Sequence, residues 1–127
     1  LRFPELWRHA ALAGAEVLAL SACWPQVRQS HWRALAIARA IENQAFVLAC
    51  NRVGTEPNAS YAGGSLVIAP DGEVLAEAGG DACCVFADID PDRVRAWRAK
   101  FPALRDVRRE RLGAISIETS VDSPRIR

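Results

Sequence analysis

The chain has 127 residues, half of them hydrophobic and 24% charged, with a formal net charge of +1. That length holds at most one domain with a sizeable core, and the balance is that of an ordinary globular protein. So small a net charge excludes steering of a polyanion by total charge, and no apolar run approaches the ~18 to 20 residues of a membrane span. The opening Leu1-Arg2-Phe3-Pro4-Glu5 lacks the charged and then apolar regions of a secretory leader, so a cytoplasmic protein is expected.

The first predicted element is a helix. Pro4 suits a first turn, where its missing N–H costs nothing, and Glu5 suits the positive end of the dipole. Leu6, Trp7, Ala10, Ala11 and Leu12 keep an apolar stripe, and Gly14 is a natural stop. Glu16–Ala22 reads as a buried strand, and Pro25–Gln29 as a loop. Ser30 is placed as the N-cap of a long helix reaching about Asn43. That helix is apolar on two sides and should be packed on two sides, against its own sheet and a second subunit.

Phe46–Asn51 reads as another buried strand, and Gly54–Gly64 as a polar, glycine-bearing loop of the kind that lines a pocket rim. Ser65–Ala69 and Glu73–Glu77 flank Pro70-Asp71-Gly72, a proline-initiated turn, and form a hairpin. After a turn at Gly79-Gly80, Cys84–Ile89 is expected to be a strand. Asp90-Pro91 opens a short helix from Asp92 to about Lys100. From Phe101 the periodicity is weak, which predicts an extended arm, disordered over Ser116–Arg127. Three helices and five strands, mixed rather than alternating, give an α/β layered domain. With helices on one face of a single sheet, the other face needs cover from elsewhere.

The chemistry-bearing residues form no self-contained catalytic set. Cys23, Cys50, Cys83 and Cys84 make no pair of Cys-x-x-Cys motifs, so zinc is not expected. They lie in apolar segments and read as buried, reduced thiols. Gly63-Gly64-Ser65 resembles part of a serine elbow, but Val67 replaces the closing glycine. His9 and His31 sit on separate helices, each without an orienting carboxylate nearby in sequence. The arginines of Arg93–Arg111 could form a nucleic-acid stripe, but Asp92, Asp106 and Glu110 interleave with them and no aromatic platform accompanies them. A solvated helix face, with no nucleic-acid partner, is the expectation.

Taken in order, several segments resemble the nitrilase superfamily of carbon–nitrogen hydrolases. Leu1-Arg2-Phe3-Pro4-Glu5 looks like the tail of its Cys-Tyr-Asp-Leu-Arg-Phe-Pro-Glu motif, whose cysteine is the nucleophile. Ser21-Ala22-Cys23-Trp24-Pro25 resembles the next strand-to-loop segment, and His31-Trp32 through Ala38-Arg39-Ala40-Ile41-Glu42-Asn43-Gln44 the family's long helix. Asn51-Arg52-Val53-Gly54, Tyr61, Gly63 and Ser65 with Pro70 and Gly72, and then Asp88-Ile89-Asp90, Val94, Arg98, Phe101-Pro102 and Asp106 complete the match over residues 1–108. Trp24-Pro25, Ile41–Gln44 and Asn51–Gly54 are most similar to the ω-amidase branch. Gly64 departs from the His or Asp that relatives often carry there.

The resemblance implies a four-layer αββα sandwich, of which this chain would be the C-terminal half only. Residues 1–108 would belong to that domain and 109–127 to an extended or disordered arm. It implies acyl transfer to a cysteine and hydrolysis of the thioester, on a small amide, without cofactor or metal, in a homodimer. The nucleophile would lie three positions before Leu1 and the family's glutamate and lysine further upstream, so no residue here is expected to be catalytic. The absence of any methionine fits the expectation of a partial sequence, inert alone. The alternative expectation is a non-catalytic truncated module that pairs with a full-length relative. Trp24 and Arg28 are the candidate substrate-binding residues, as pocket wall and carboxylate partner. Arg2 and Glu5, one helical turn apart, are candidates to brace the elbow by pairing with each other.

Overall fold

The computed structural model describes residues 1–113. Helix α1 (Pro4–Leu12) is followed by strand β1 (Val17–Ala22), a 3-10 turn (Gln26–Arg28), helix α2 (Gln29–Asn43) and strand β2 (Phe46–Asn51). Strands β3 (Val53–Glu56), β4 (Ala59–Ala62), β5 (Leu66–Ile68) and β6 (Val74–Glu77) follow, then helix α3 (Pro91–Lys100) and 3-10 turns at Ala103–Asp106 and Arg109–Arg111. The main sheet has the order β1-β2-β5-β6, while β3 and β4 form a separate two-stranded ribbon. Strands β1 and β2 are parallel, joined by the crossover through α2, and the other neighbours are antiparallel.

The local physics is that of the sequence. Pro4 opens α1, and Gly14 leaves it at φ +104°, a left-handed conformation that favours glycine. Asp90 caps α3 by accepting from the Asp92 N–H at 2.9 Å, with Pro91 as the first helical residue. Helix α2 ends at Gln44, a non-glycine residue in the left-handed region (φ 48°). Its side chain offsets that strain by donating to the Phe101 carbonyl at 2.7 Å, and Arg98 donates to the carbonyls of Asn43 and Gln44 left over at the helix end.

One sheet face is covered. Leu18, Val47, Ala49, Leu66 and Ile68 pack beneath Trp32, Ala36 and Ala40 of α2, with Trp7 and Ala10 of α1 alongside. Small residues at 36 and 40 let α2 sit close to the sheet, and Trp32 is fully buried. On the opposite face only the bottom is covered, where Val94 of α3 packs on Phe46 and Ala69. Above it the sheet is open, with a hollow of ≈ 690 Å³ over Ala19, Leu48 and Val67. The α/β architecture and the uncovered face are as expected.

Five expectations change. Residues 54–64 are not a plain loop but mostly the β3–β4 ribbon. Residues 84–89 form no strand: the Gly64 N–H donates to the Gly79 carbonyl at 3.2 Å as a rung of the β5–β6 ladder beyond Glu77, and the chain is then diverted from the sheet, pairing with no described strand. Helix α2 starts at Gln29 rather than after Ser30, continuing a 3-10 turn that leaves no side chain as its cap. The chain beyond Phe101 is not simply extended but makes two 3-10 turns, and the disorder expected of Ser116–Arg127 lies outside the described residues. Finally, all four cysteines are exposed, because Cys50 faces the open side of the sheet, Cys23 lies past the end of β1, and Cys83 and Cys84 lie in the diverted segment. No disulfide joins them.

Candidate active-site rim

The carboxyl ends of parallel strands are where an α/β sheet opens a crevice, because the chain diverges there into different connections. Here those ends are Ala22 of β1 and Asn51 of β2, paired with each other in the ladder. Arg52 N–H continues the ladder to the Ala22 carbonyl at 3.0 Å, and then the two strands part.

Trp24 stands in that opening and is held from three sides. Its backbone N–H donates to Asn51 Oδ1 at 2.8 Å, and its indole Nε1–H to the Arg28 carbonyl at 2.7 Å. Its ring lies 5.8 Å from that of Trp32, tilted by 48°, within the range of favourable aromatic pairs. Over it sits the Arg2 guanidinium, 4.8 Å from the ring centroid. So Arg2 does not pair with Glu5; it stacks on Trp24, linking the start of α1 to the β1 loop. Glu5 is exposed and makes no ion pair among the described residues. Arg28 is exposed, and its backbone carbonyl, not its side chain, is what fixes Trp24. Neither Arg2 nor Arg28 has a carboxylate partner among the described residues.

Asn51, matched by sequence but not singled out, is the node of the rim. It is 5% exposed, and its side chain spends every bond on backbone: Trp24 N–H, the Gly63 carbonyl at 2.8 Å and the Trp24 carbonyl at 3.4 Å. Ser65 Oγ, the supposed elbow hydroxyl, accepts from the Asn51 N–H at 3.0 Å and so serves the scaffold. Two further donors grip the adjoining bend: Gln29 Nε2 to the Gly63 carbonyl at 3.0 Å and Trp32 Nε1 to the Gly64 carbonyl at 2.7 Å. Both glycines are left-handed, at φ +66° and +71°. A polar residue closing a buried strand was the available signal, since a buried amide must find partners.

The β3–β4 ribbon forms the outer rim. Arg52 pairs with Glu56 and lies 4.8 Å over the Tyr61 ring, while Tyr61 donates to Glu56 at 3.2 Å. These bonds, Arg52 first, hold the Glu56 carboxyl below its ordinary value. A groove of ≈ 740 Å³ separates the ribbon tip from Pro25–Arg28.

Three arginines of the C-terminal cluster are committed within the chain. Arg93 pairs with Asp71 and Glu73, and Arg95 with Glu16 and Asp92. Arg98 caps α2 and also donates to the Ala15 carbonyl at 2.7 Å. Among the described residues no group of three or more His, Cys, Asp or Glu could hold a metal ion, and no helix is long and apolar enough to cross a membrane.

The carbon–nitrogen hydrolase family model matches residues 1–99. The chain belongs to that family. Within the nitrilase superfamily its similarity is to the ω-amidase-like branch. It is 47% identical over 110 residues to the 2-oxoglutaramate amidase of Bacillus subtilis, covering 87% of this chain and 42% of that protein. It is 44% identical over 114 residues to omega-amidase YafV of Escherichia coli K12, covering 88% and 44%. Among solved structures, the NitFhit protein of Caenorhabditis elegans superposes with a TM-score of 0.78 at 36% identity, over 84% of this chain and 26% of that one. The chain thus spans less than half the length of these relatives.

Proposed function

We propose that this chain is the C-terminal part of a cysteine-dependent amidase that releases ammonia from small amides carrying a second, anionic group, of the 2-oxo dicarboxylic monoamide type. The nucleophilic cysteine, the general base and the oxyanion lysine come from polypeptide outside these 127 residues. What supports this is the length shared with the relatives and the chemistry of the residues present: among the described residues no cysteine is hydrogen-bonded to a carboxylate. Taken alone, the chain is inert.

Its contribution is a helix end and a wall. Helix α1 begins with no side-chain cap on its free N–H groups. An uncapped helix start favours a thiolate placed just ahead of it. Backbone N–H groups at such a junction stabilise the tetrahedral oxygen by about 3 kcal/mol per donor. Attack of the thiolate on the amide carbon, with a proton delivered to the leaving nitrogen, would give a thioester and ammonia, and water would then release the acid. Trp24 forms one side of the cleft, and the guanidinium groups of Arg2 and Arg28 are free to meet the substrate's carboxylate.

The stack of Arg2 on Trp24 carries this reading, because it presents a cation with no carboxylate partner among the described residues, set on a hydrogen-bonded aromatic wall. Ammonia release is measured for the 127-residue chain and for the longer protein that contains it. The expected result is turnover by the longer protein only, with kcat/KM falling at least about 100-fold when the substrate's carboxylate is replaced by a neutral group, as for loss of a paired charge. Turnover by the 127-residue chain alone, or equal use of the neutral amide, would overturn it. The cytoplasmic, homodimeric state belongs to the same proposal, and sedimentation of the longer protein tests the dimer.

A further inference from the structure

Arg39 is the buried charge for which the proposed chemistry has no use. It lies in α2 between Ala36 and Ala40 and is 4% exposed. Its Nε–H donates to the Leu1 carbonyl at 3.0 Å and its Nη1 to Glu42 Oε1 at 2.7 Å. The same helical turn is closed by Asn43 Nδ2, which donates to the Arg39 carbonyl at 2.9 Å and to Glu42 Oε1 at 3.5 Å. From the other side Arg8 of α1 donates to the Glu42 carbonyl.

A leucine or methionine would occupy this place without the desolvation cost of a buried guanidinium, and a buried ion pair is weak evidence of stabilisation. What a guanidinium supplies that an apolar group cannot is direction: a planar fork with fixed N–H vectors. One vector is fixed on Glu42 of its own helix. The other crosses to main chain at the entry to α1.

We infer that Arg39 is a positioning residue for the nucleophile's turn, its guanidinium holding the Leu1 carbonyl and so setting the angle at which the chain enters α1. This rests on the proposed function, in which the reactive sulfur lies three residues ahead of Leu1. Releasing the Leu1 carbonyl lets the turn shift, and a shift of about 1 Å at a reacting group costs about 100-fold in rate.

The test uses the full-length enzyme containing this segment, with alkylation of the nucleophilic cysteine, told apart from Cys23, Cys50, Cys83 and Cys84 by peptide mass mapping, counted and kcat expressed per nucleophilic thiol so titrated. Arg39→Met is expected to lower kcat about 10- to 100-fold with KM within twofold, and Arg39→Lys, which keeps the charge but not the fork, to fall between. Glu42→Gln, which can still accept from Nη1 and leaves the Leu1 bond in place, is expected to stay within threefold of wild type and serves if Arg39→Met does not fold. A merely structural role predicts fewer titratable thiols with unchanged kcat per thiol, which overturns the assignment. So does a rise in KM alone, or a loss in Glu42→Gln equal to that in Arg39→Lys. A wild-type enzyme with no thiol-dependent turnover overturns the functional reading and this role with it; an active wild type matched by a folded Arg39→Met overturns the role alone.

Discussion

Replacing Asn51 tests whether one amide holds the rim together. In Asn51→Ala the Trp24 N–H loses its acceptor at 2.8 Å, while the Gly63 carbonyl keeps a second donor in Gln29. One orphaned, part-buried donor costs about 1 to 3 kcal/mol, and the lost bond to Gly63 adds about 1 kcal/mol. The expected destabilisation is therefore about 2 to 4 kcal/mol, a large share of the ~5 to 15 kcal/mol typical of a domain. Asn51→Asp separates the two bonds. Its carboxylate can still accept from Trp24 but would place an oxygen against the Gly63 carbonyl, so the folded state favours the protonated acid. The folded pKa is then raised above the unfolded ~3.9. Stability close to wild type is present below that value and is lost as pH rises through the folded pKa. Denaturant unfolding of both variants at pH 4 and pH 7 reads this out. Asn51→Ala within 0.5 kcal/mol of wild type (roughly the scatter of a surface substitution), or an Asn51→Asp variant whose stability relative to wild type does not fall with pH, would refute the reasoning.

Three further outcomes follow from the same coordinates. A Cβ at Gly63 would lie 2.5 Å from the Gly79 carbonyl oxygen, and at Gly64 2.5 Å from the movable Gln29 Nε2. Gly63→Ala should thus lose at least about 2 kcal/mol and Gly64→Ala about 1 kcal/mol, the left-handed backbone being common to both; equal losses in thermal melts would contradict the difference. At Asp71, burial pushes the carboxyl up, but hydrogen bonds from Arg93 and the Glu73 N–H more than offset it and hold it below the usual range. That contribution is present above pH ~3.9 and lost as pH falls through the lowered pKa, so Arg93→Met should flatten the acid limb of Tm against pH, by only about 0.2 to 1 kcal/mol because the pair is exposed. The 127-residue chain by itself should bind a hydrophobic dye and self-associate through its open sheet face, and Leu48→Glu should reduce both; a monodisperse, dye-silent chain would refute this.

How much of this was legible in the sequence depended on where each signal lies. Helices α1 and α3 announced themselves through local chemistry: Pro4, Gly14, Asp90 and Pro91 act within a turn of their own positions. The β5–β6 hairpin was equally local, set by Pro70-Asp71-Gly72. The failures were non-local. Nothing near residues 84–89 says that the chain leaves the β5–β6 ladder after Gly79 and meets no strand to pair with among the described residues. Arg2 and Glu5 have the spacing of a helical pair, yet Arg2 is not inside the helix. An aromatic ring 22 positions on is the better partner for an exposed guanidinium than a carboxylate that water solvates as well. The cysteines misled for a related reason: period-2 alternation puts Cys50 on a definite face, but not on a covered one.

The covered and open faces also explain why the rim could be found without its nucleophile. Most of the side-chain bonds that fix Trp24, Gly63 and Gly64 come from α2 and β2, joined by the Arg2 stack on Trp24 and the Gly79 carbonyl that accepts from Gly64. Those bonds are complete within the described residues. Leu1, by contrast, is tied among the described residues by one side-chain hydrogen bond, from Arg39 to its carbonyl, with its side chain packed against the core. A cleft wall built by hydrogen bonds to backbone keeps its geometry whatever covers the other sheet face. On the proposed reading, the end beside Leu1 is where further polypeptide would bring the nucleophile, and where Arg39 would bear on rate rather than on fold.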